Sequence, residues 1–81
     1  MENRVGVVAI VLDNLEAAPA VNEILHDYAK IIVGRMGIPY REKGVSVISI
    51  IVDGTTDEIG ALTGKLGRIK YVQVKSAITK K

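Results

Sequence analysis

Two periods of hydrophobicity alternate along this chain. From Arg4 to Asp13 it reads Arg-Val-Gly-Val-Val-Ala-Ile-Val-Leu-Asp, too short and too β-branched to favour a helix, which predicts a first strand. Both of its faces, Val5, Val7, Ala9, Val11 and Gly6, Val8, Ile10, Leu12, lack a polar set. Between residues 14 and 30 the period lengthens: Val21, Ile24, Leu25 and Tyr28 fall at i, i+3, i+4 and i+7, with Asn22, Glu23, His26, Asp27 and Lys30 opposite, the pattern of an amphipathic helix. Pro19 suits its first turn, where a missing N–H has no partner to lose.

Ile31 to Ile38 is again β-branched, broken by Gly34 and Gly37 and ended by Pro39. Tyr40-Arg41-Glu42-Lys43-Gly44 then predicts a charged hairpin tip, with Gly44 supplying a positive φ. Residues 45 to 53 form a third strand, apolar on both faces apart from Ser46 and Ser49. Thr55 and Glu58 have capping-box spacing, and Ile59, Leu62, Leu66 and Ile69 mark the buried stripe of a second helix, with Lys65, Arg68 and Lys70 toward its end. Tyr71 to Ile78 is the fourth strand.

The order β-α-β-β-α-β predicts an α+β, ferredoxin-like βαββαβ fold. Right-handed crossovers put both helices on one face of a four-stranded antiparallel sheet, with strands one and three in the middle. The other face of those strands should then be polar in a monomer, yet it is mostly Val, Ile, Ala or Ser in either register. A large apolar sheet face marks an interface, so a homo-oligomer is expected, packed sheet to sheet or joined edge to edge.

Composition sharpens this. The 81 residues are 48% hydrophobic with no Cys, Trp or Phe, and Val and Ile alone fill 22 positions. A mass of 8.7 kDa implies one domain over residues 1–81, with roughly 60% of its unfolded surface buried. No disulfide can reinforce so thin a core, which leaves tight packing or oligomerisation. The apolar runs fall far short of about 20 residues, so no transmembrane helix is expected. Glu2, Asp13 and Asn14 do not fit a signal peptide, and a cytoplasmic location is the default. A net charge of +2, with three scattered tyrosines, Tyr28, Tyr40 and Tyr71, argues against nucleic-acid binding; the weak route to it is the basic end at Lys75, Lys80 and Lys81.

The string Gly34-Arg35-Met36-Gly37-Ile38-Pro39-Tyr40-Arg41-Glu42, with Gly44-Val45-Ser46, Ile51-Val52-Asp53-Gly54-Thr55-Thr56-Asp57-Glu58-Ile59 and Leu62-Thr63-Gly64-Lys65-Leu66-Gly67, resembles a family of small regulators of the iron-only hydrogenase system. The resemblance spans nearly the whole chain. It implies an ACT-like version of the ferredoxin fold, similar to the C-terminal sensing domain of the nickel-responsive repressor. That repressor carries a ribbon-helix-helix reader ahead of its sensor; with a first strand beginning near residue 4, no such reader is expected here. Its nickel site needs several histidines and a cysteine; with one His and no Cys here, a site of that kind cannot form.

No metal, cofactor or catalytic residue is therefore expected. His26, on the polar side of the first helix, reads as a solvated side chain, and Ser46, Ser49 and Ser76 have no base placed to activate them. Asp13 and Asp53 end the two central strands and are expected to lie close together, as strand-end residues before a catalytic pair. Gly60, Gly64 and Gly67 line one side of the second helix, each costing about 1 kcal/mol against alanine, which calls for close packing against the sheet, the first helix or a partner. In ACT-like domains effectors bind near the first strand-helix turn, so the resemblance points to Asp13, Asn14 and Leu15 as a ligand site. Arg35 and Arg41 beside Tyr40 form a second candidate, suited to an anion or an acidic partner protein. The leading expectation is a non-enzymatic regulatory module binding a small-molecule effector or partner protein; the alternative is a small enzyme with a pocket on the sheet face.

Overall fold

The computed structural model describes residues 2–79; the Lys80 and Lys81 part of the basic end lies outside them. Strand β1, Arg4–Leu12, leads through Asp13 and Asn14 into a 3₁₀ turn, Leu15–Ala17, that runs directly into helix α1, Ala18–Asp27. Asn14 starts this turn, its side-chain carbonyl accepting from the Glu16 N–H at 2.9 Å. Pro19 occupies the opening of α1 as expected. A second 3₁₀ turn, Ala29–Ile31, feeds strand β2, Ile32–Tyr40. The hairpin tip Arg41–Lys43 closes on Gly44 at φ 68°, the left-handed conformation that a side chain would oppose. Strand β3, Val45–Gly54, helix α2, Thr56–Gly67, and strand β4, Val72–Ile78, complete the fold.

β2 runs two residues past its predicted end, pairing Pro39 with Ser46 and Tyr40 with Val45. Proline is tolerated because β2 is an edge strand. Near its start, a register shift between Ile32 and Gly34 inserts a bulge at Val33.

α2 begins with a complete capping box: Thr55 Oγ1 accepts from the Glu58 N–H at 3.1 Å, and Glu58 Oε1 accepts from the Thr55 N–H at 2.9 Å. These bonds hold the Glu58 carboxyl below its ordinary pKa, led by the backbone N–H, then the hydroxyl, with a smaller contribution from the Lys30 charge against an opposing desolvation.

The sheet order is β2-β3-β1-β4 with every pairing antiparallel, the ferredoxin-like arrangement. Both helices cover one face, and the core lies between: Val8, Ile10 and Leu12 of β1, Ile48, Ile50 and Val52 of β3, Val21 and Leu25 of α1, and Ile59, Leu62 and Leu66 of α2. Gly6 belongs to this side too. A Cβ there would meet the Ala77 carbonyl oxygen at 2.9 Å, so glycine lets β4 close against β1. No helix among the described residues is long and apolar enough to cross a membrane.

Candidate functional site

The face of the sheet away from the helices follows directly from the register. Residues paired across antiparallel strands share a face, so Val5, Val7, Ala9 and Val11 of β1 stand level with Asp53, Ile51, Ser49 and Val47 of β3. Met36, Ile38 and Tyr40 of β2 join Ser49, Val47 and Val45. On the β4 side the partners are Ala77, Lys75 and Gln73. The centre of this face is therefore aliphatic and its β4 margin polar. Val7 and Ile51 are 44% and 45% exposed, Met36 and Ile38 64% and 53%. The apolar second face read from the sequence is present, and none of the described residues covers it.

The first strand-helix turn lies at the rim of that face. Asp13 Oδ2 accepts from Gln73 Nε2 at 3.1 Å, and the Asp13 N–H donates to the Tyr71 carbonyl at 2.8 Å. Tyr71 itself is held at φ 71°, a conformation most side chains avoid, with the Lys70 ammonium 5.0 Å from its ring centroid. The Asn14 carbonyl is engaged in starting the 3₁₀ turn, while Leu15 projects into solvent. Asp13, Asn14 and Leu15 thus form a small, hydrogen-bonded promontory.

Two pairings expected from the sequence do not form. Asp13 and Asp53 end antiparallel strands, so they lie at opposite ends of the sheet: Asp53 is level with Val5, eight residues and about 26 Å from Asp13. Arg35 and Tyr40 lie on opposite faces. Tyr40 shares the open face with Val45, whereas Arg35 pairs with buried Ile50 and turns to the helix side. Arg41 sits in the hairpin tip, where Tyr40 Oη reaches Glu42 Oε2 at 3.5 Å.

Arg35 instead meets α1. Its Nη2 donates to Asn22 Oδ1 at 3.2 Å, and Arg35, Asn22 and His26 line one hollow of about 400 Å³ with Leu25, Ala29 and Ile32. The i, i+4 spacing of Asn22 and His26 already places both on one side of α1; the arrival of Arg35 from β2 is what no local spacing announces.

Of the three packings expected for the α2 glycines, the two within the single chain do not occur. A Cβ at Gly60, Gly64 or Gly67 would meet nothing within 4 Å, so neither the sheet nor α1 packs on them. They border an open groove of about 590 Å³ floored by Val72, Val74 and Ser76 of β4. Among the described residues, no group of three or more His, Cys, Asp or Glu side chains is placed to hold a metal ion.

A family profile described as "TM1266-like: Iron-only hydrogenase system regulator, putative" matches residues 4–76. The structure of uncharacterized protein TM1266 from Thermotoga maritima is 40% identical, with a TM-score of 0.92, covering 98% of this chain and all of that one. Two more distant likenesses show the fold alone. The divalent ion tolerance protein CutA1 from Ehrlichia chaffeensis is 17% identical with a TM-score of 0.53, covering all of this chain and 86% of that one. CPII from Thiomonas intermedia K12, solved with ADP, AMP and acetate, is 12% identical with a TM-score of 0.52, covering all of this chain and 94% of that one. No curated protein matches the chain.

Proposed function

The chain belongs to the TM1266-like family, described as regulators of the iron-only hydrogenase system, and from that premise we propose that it is a non-enzymatic, homo-oligomeric regulatory module of the cytoplasm. The observation carrying this reading is the uncovered aliphatic face built from Val5, Val7, Val47, Ile51, Met36 and Ile38. An apolar surface of this extent is unfavourable in water, and a second copy offers the same surface to cover it. Four strands about 4.8 Å apart and nine residues at about 3.3 Å each span roughly 570 Å². Two copies packed face to face would bury about 1,100 Å² before side-chain relief is counted, near the lower bound for a stable interface.

Regulation follows from where the first strand-helix turn sits. Asp13, linked to Gln73 at the margin of the face, adjoins any copy packed there. A small effector or partner protein held at Asp13, Asn14 and Leu15 would contact the assembled form differently from the free chain, and that difference shifts the assembly's preference for its target. Sedimentation at low micromolar concentration tests the reading. An oligomer is expected, and a monomer would remove its basis.

A further inference from the structure

We propose that the hollow between α1 and the start of β2 is an anion site for the phosphate group of a small molecule, held by Arg35 with His26 and Asn22. It goes beyond the assembly reading, because all six lining residues belong to one chain and to its helix side.

The argument begins with how Arg35 is held. Arg35 donates to a neutral amide, Asn22 Oδ1, at 3.2 Å. Among the described residues no carboxylate lies within ion-pair distance of it. Its guanidinium is therefore oriented without being neutralised, and of its five N–H donors only one is engaged in a side-chain bond. Because Asn22 accepts through its oxygen, its own amide N–H groups are left to donate.

The lining contains no acid: Asn22, Leu25, His26, Ala29, Ile32 and Arg35. Glu23 and Asp27 each follow a lining residue by one position, about 100° around the helix, and so face elsewhere. His26, one turn beyond Asn22, adds an imidazole donor. Arg35 approaches from β2 and the other two from α1, so donors converge from two directions. That suits a tetrahedral phosphate better than a planar carboxylate, which a single guanidinium fork would satisfy. Ala29 and Ile32 supply an apolar wall for the remainder of the molecule.

Inorganic phosphate is the probe, titrated into the isotopically labelled full chain at fixed ionic strength and followed by amide chemical shifts. Saturable shifts confined to Asn22, His26, Ala29 and Arg35 are expected. Arg35→Gln should weaken binding by at least about tenfold, because it removes a charge-assisted pair. His26→Ala should weaken it severalfold and Arg41→Gln should leave it unchanged. Acetate should bind more weakly than phosphate. Non-saturating shifts spread over the surface would overturn the proposal. So would undiminished binding in Arg35→Gln with an intact spectrum, or acetate binding as tightly as phosphate. Arg35→Lys, which keeps the charge and loses the fork, is expected to bind more weakly than the parent and gives the same decision should the glutamine variant fold poorly. A protein found to be monomeric yet binding phosphate at this hollow would sustain the site while removing the assembly.

Discussion

Ile51→Lys separates the fold of the chain from its assembly. Ile51 stands on the open face directly across from Val7 and is already 45% exposed in the single chain. A lysine there can lay its stem over the same surface and raise its ammonium into water. The isolated fold should consequently change by no more than about 0.5 kcal/mol. In a face-to-face assembly the same position is covered. Fully burying an isoleucine is worth about 1.5 to 3 kcal/mol, and the 45% still uncovered corresponds to roughly 1 kcal/mol per copy. A two-fold interface carries the position twice, so lost burial alone amounts to about 2 kcal/mol, or roughly 30-fold in dissociation constant. Two stranded ammonium groups add several kcal/mol and take the expected loss past roughly a thousandfold. Sedimentation across a concentration series, with circular dichroism and a thermal melt, reads both quantities. The variant should be a folded monomer where the parent is assembled, while Ala20→Lys on the helix layer should leave assembly intact. An Ile51→Lys protein that assembles as tightly as its parent would refute the open face as the interface.

Thr55→Ala removes the hydroxyl that caps α2 and should cost about 1 kcal/mol, a fall of roughly 4 to 8 °C in melting temperature for a domain of this size. The Glu58 carboxyl is held below its ordinary pKa, so its stabilising contribution is present above the usual carboxylate range and is lost as pH falls through the folded value. Melts across that acid range should therefore show a shallower loss in Glu58→Gln than in the parent. Gly6→Ala pushes a methyl to 2.9 Å from the Ala77 carbonyl oxygen and should destabilise by about 1 to 3 kcal/mol in chemical unfolding. Gly64→Ala meets open space and should instead raise the stability of the isolated chain by up to about 1 kcal/mol; a fall would show that α2 is already tightly covered there. Leu62→Ala in the fully buried stripe of α2 should lose about 2 to 5 kcal/mol by the same measurement.

The architecture was legible because its signals are local. The capping box at Thr55 and Glu58, the positive φ at Gly44 and the 3.6-residue stripes of both helices each depend on residues a few positions apart. Antiparallel order then supplied the doubly apolar central strands. What escaped was the facing of individual side chains, which depends on where a strand ends. Ending β2 before Pro39 left Tyr40 free to sit beside Arg35. Once the strand continues through Tyr40, the odd separation of the two residues sends them to opposite faces. The expected closeness of Asp13 and Asp53 failed on direction alone, since antiparallel neighbours bring the start of one strand beside the end of the other: Arg4 pairs with Gly54. The contact of Arg35 with Asn22 joins two elements, and no spacing within either one announces it.

These facings give β2 a particular position in the molecule. Its Arg35 turns to the hollow with Asn22, while Met36 and Ile38, its neighbours in sequence, stand on the open aliphatic face. The strand is an edge, bulged at Val33, so it is restrained by pairing on one side only. A ligand in the hollow alters assembly only to the extent that it binds the free and assembled forms with different affinity. Any such difference must pass through an element that both sites share, and β2 presents one residue to the first and the next to the second. The apolar excess of the composition and the Arg35 hollow thus meet on one strand, which makes β2, more than the glycine-lined helix at the other edge, the segment where recognition of an anion and recognition of a second copy can be coupled.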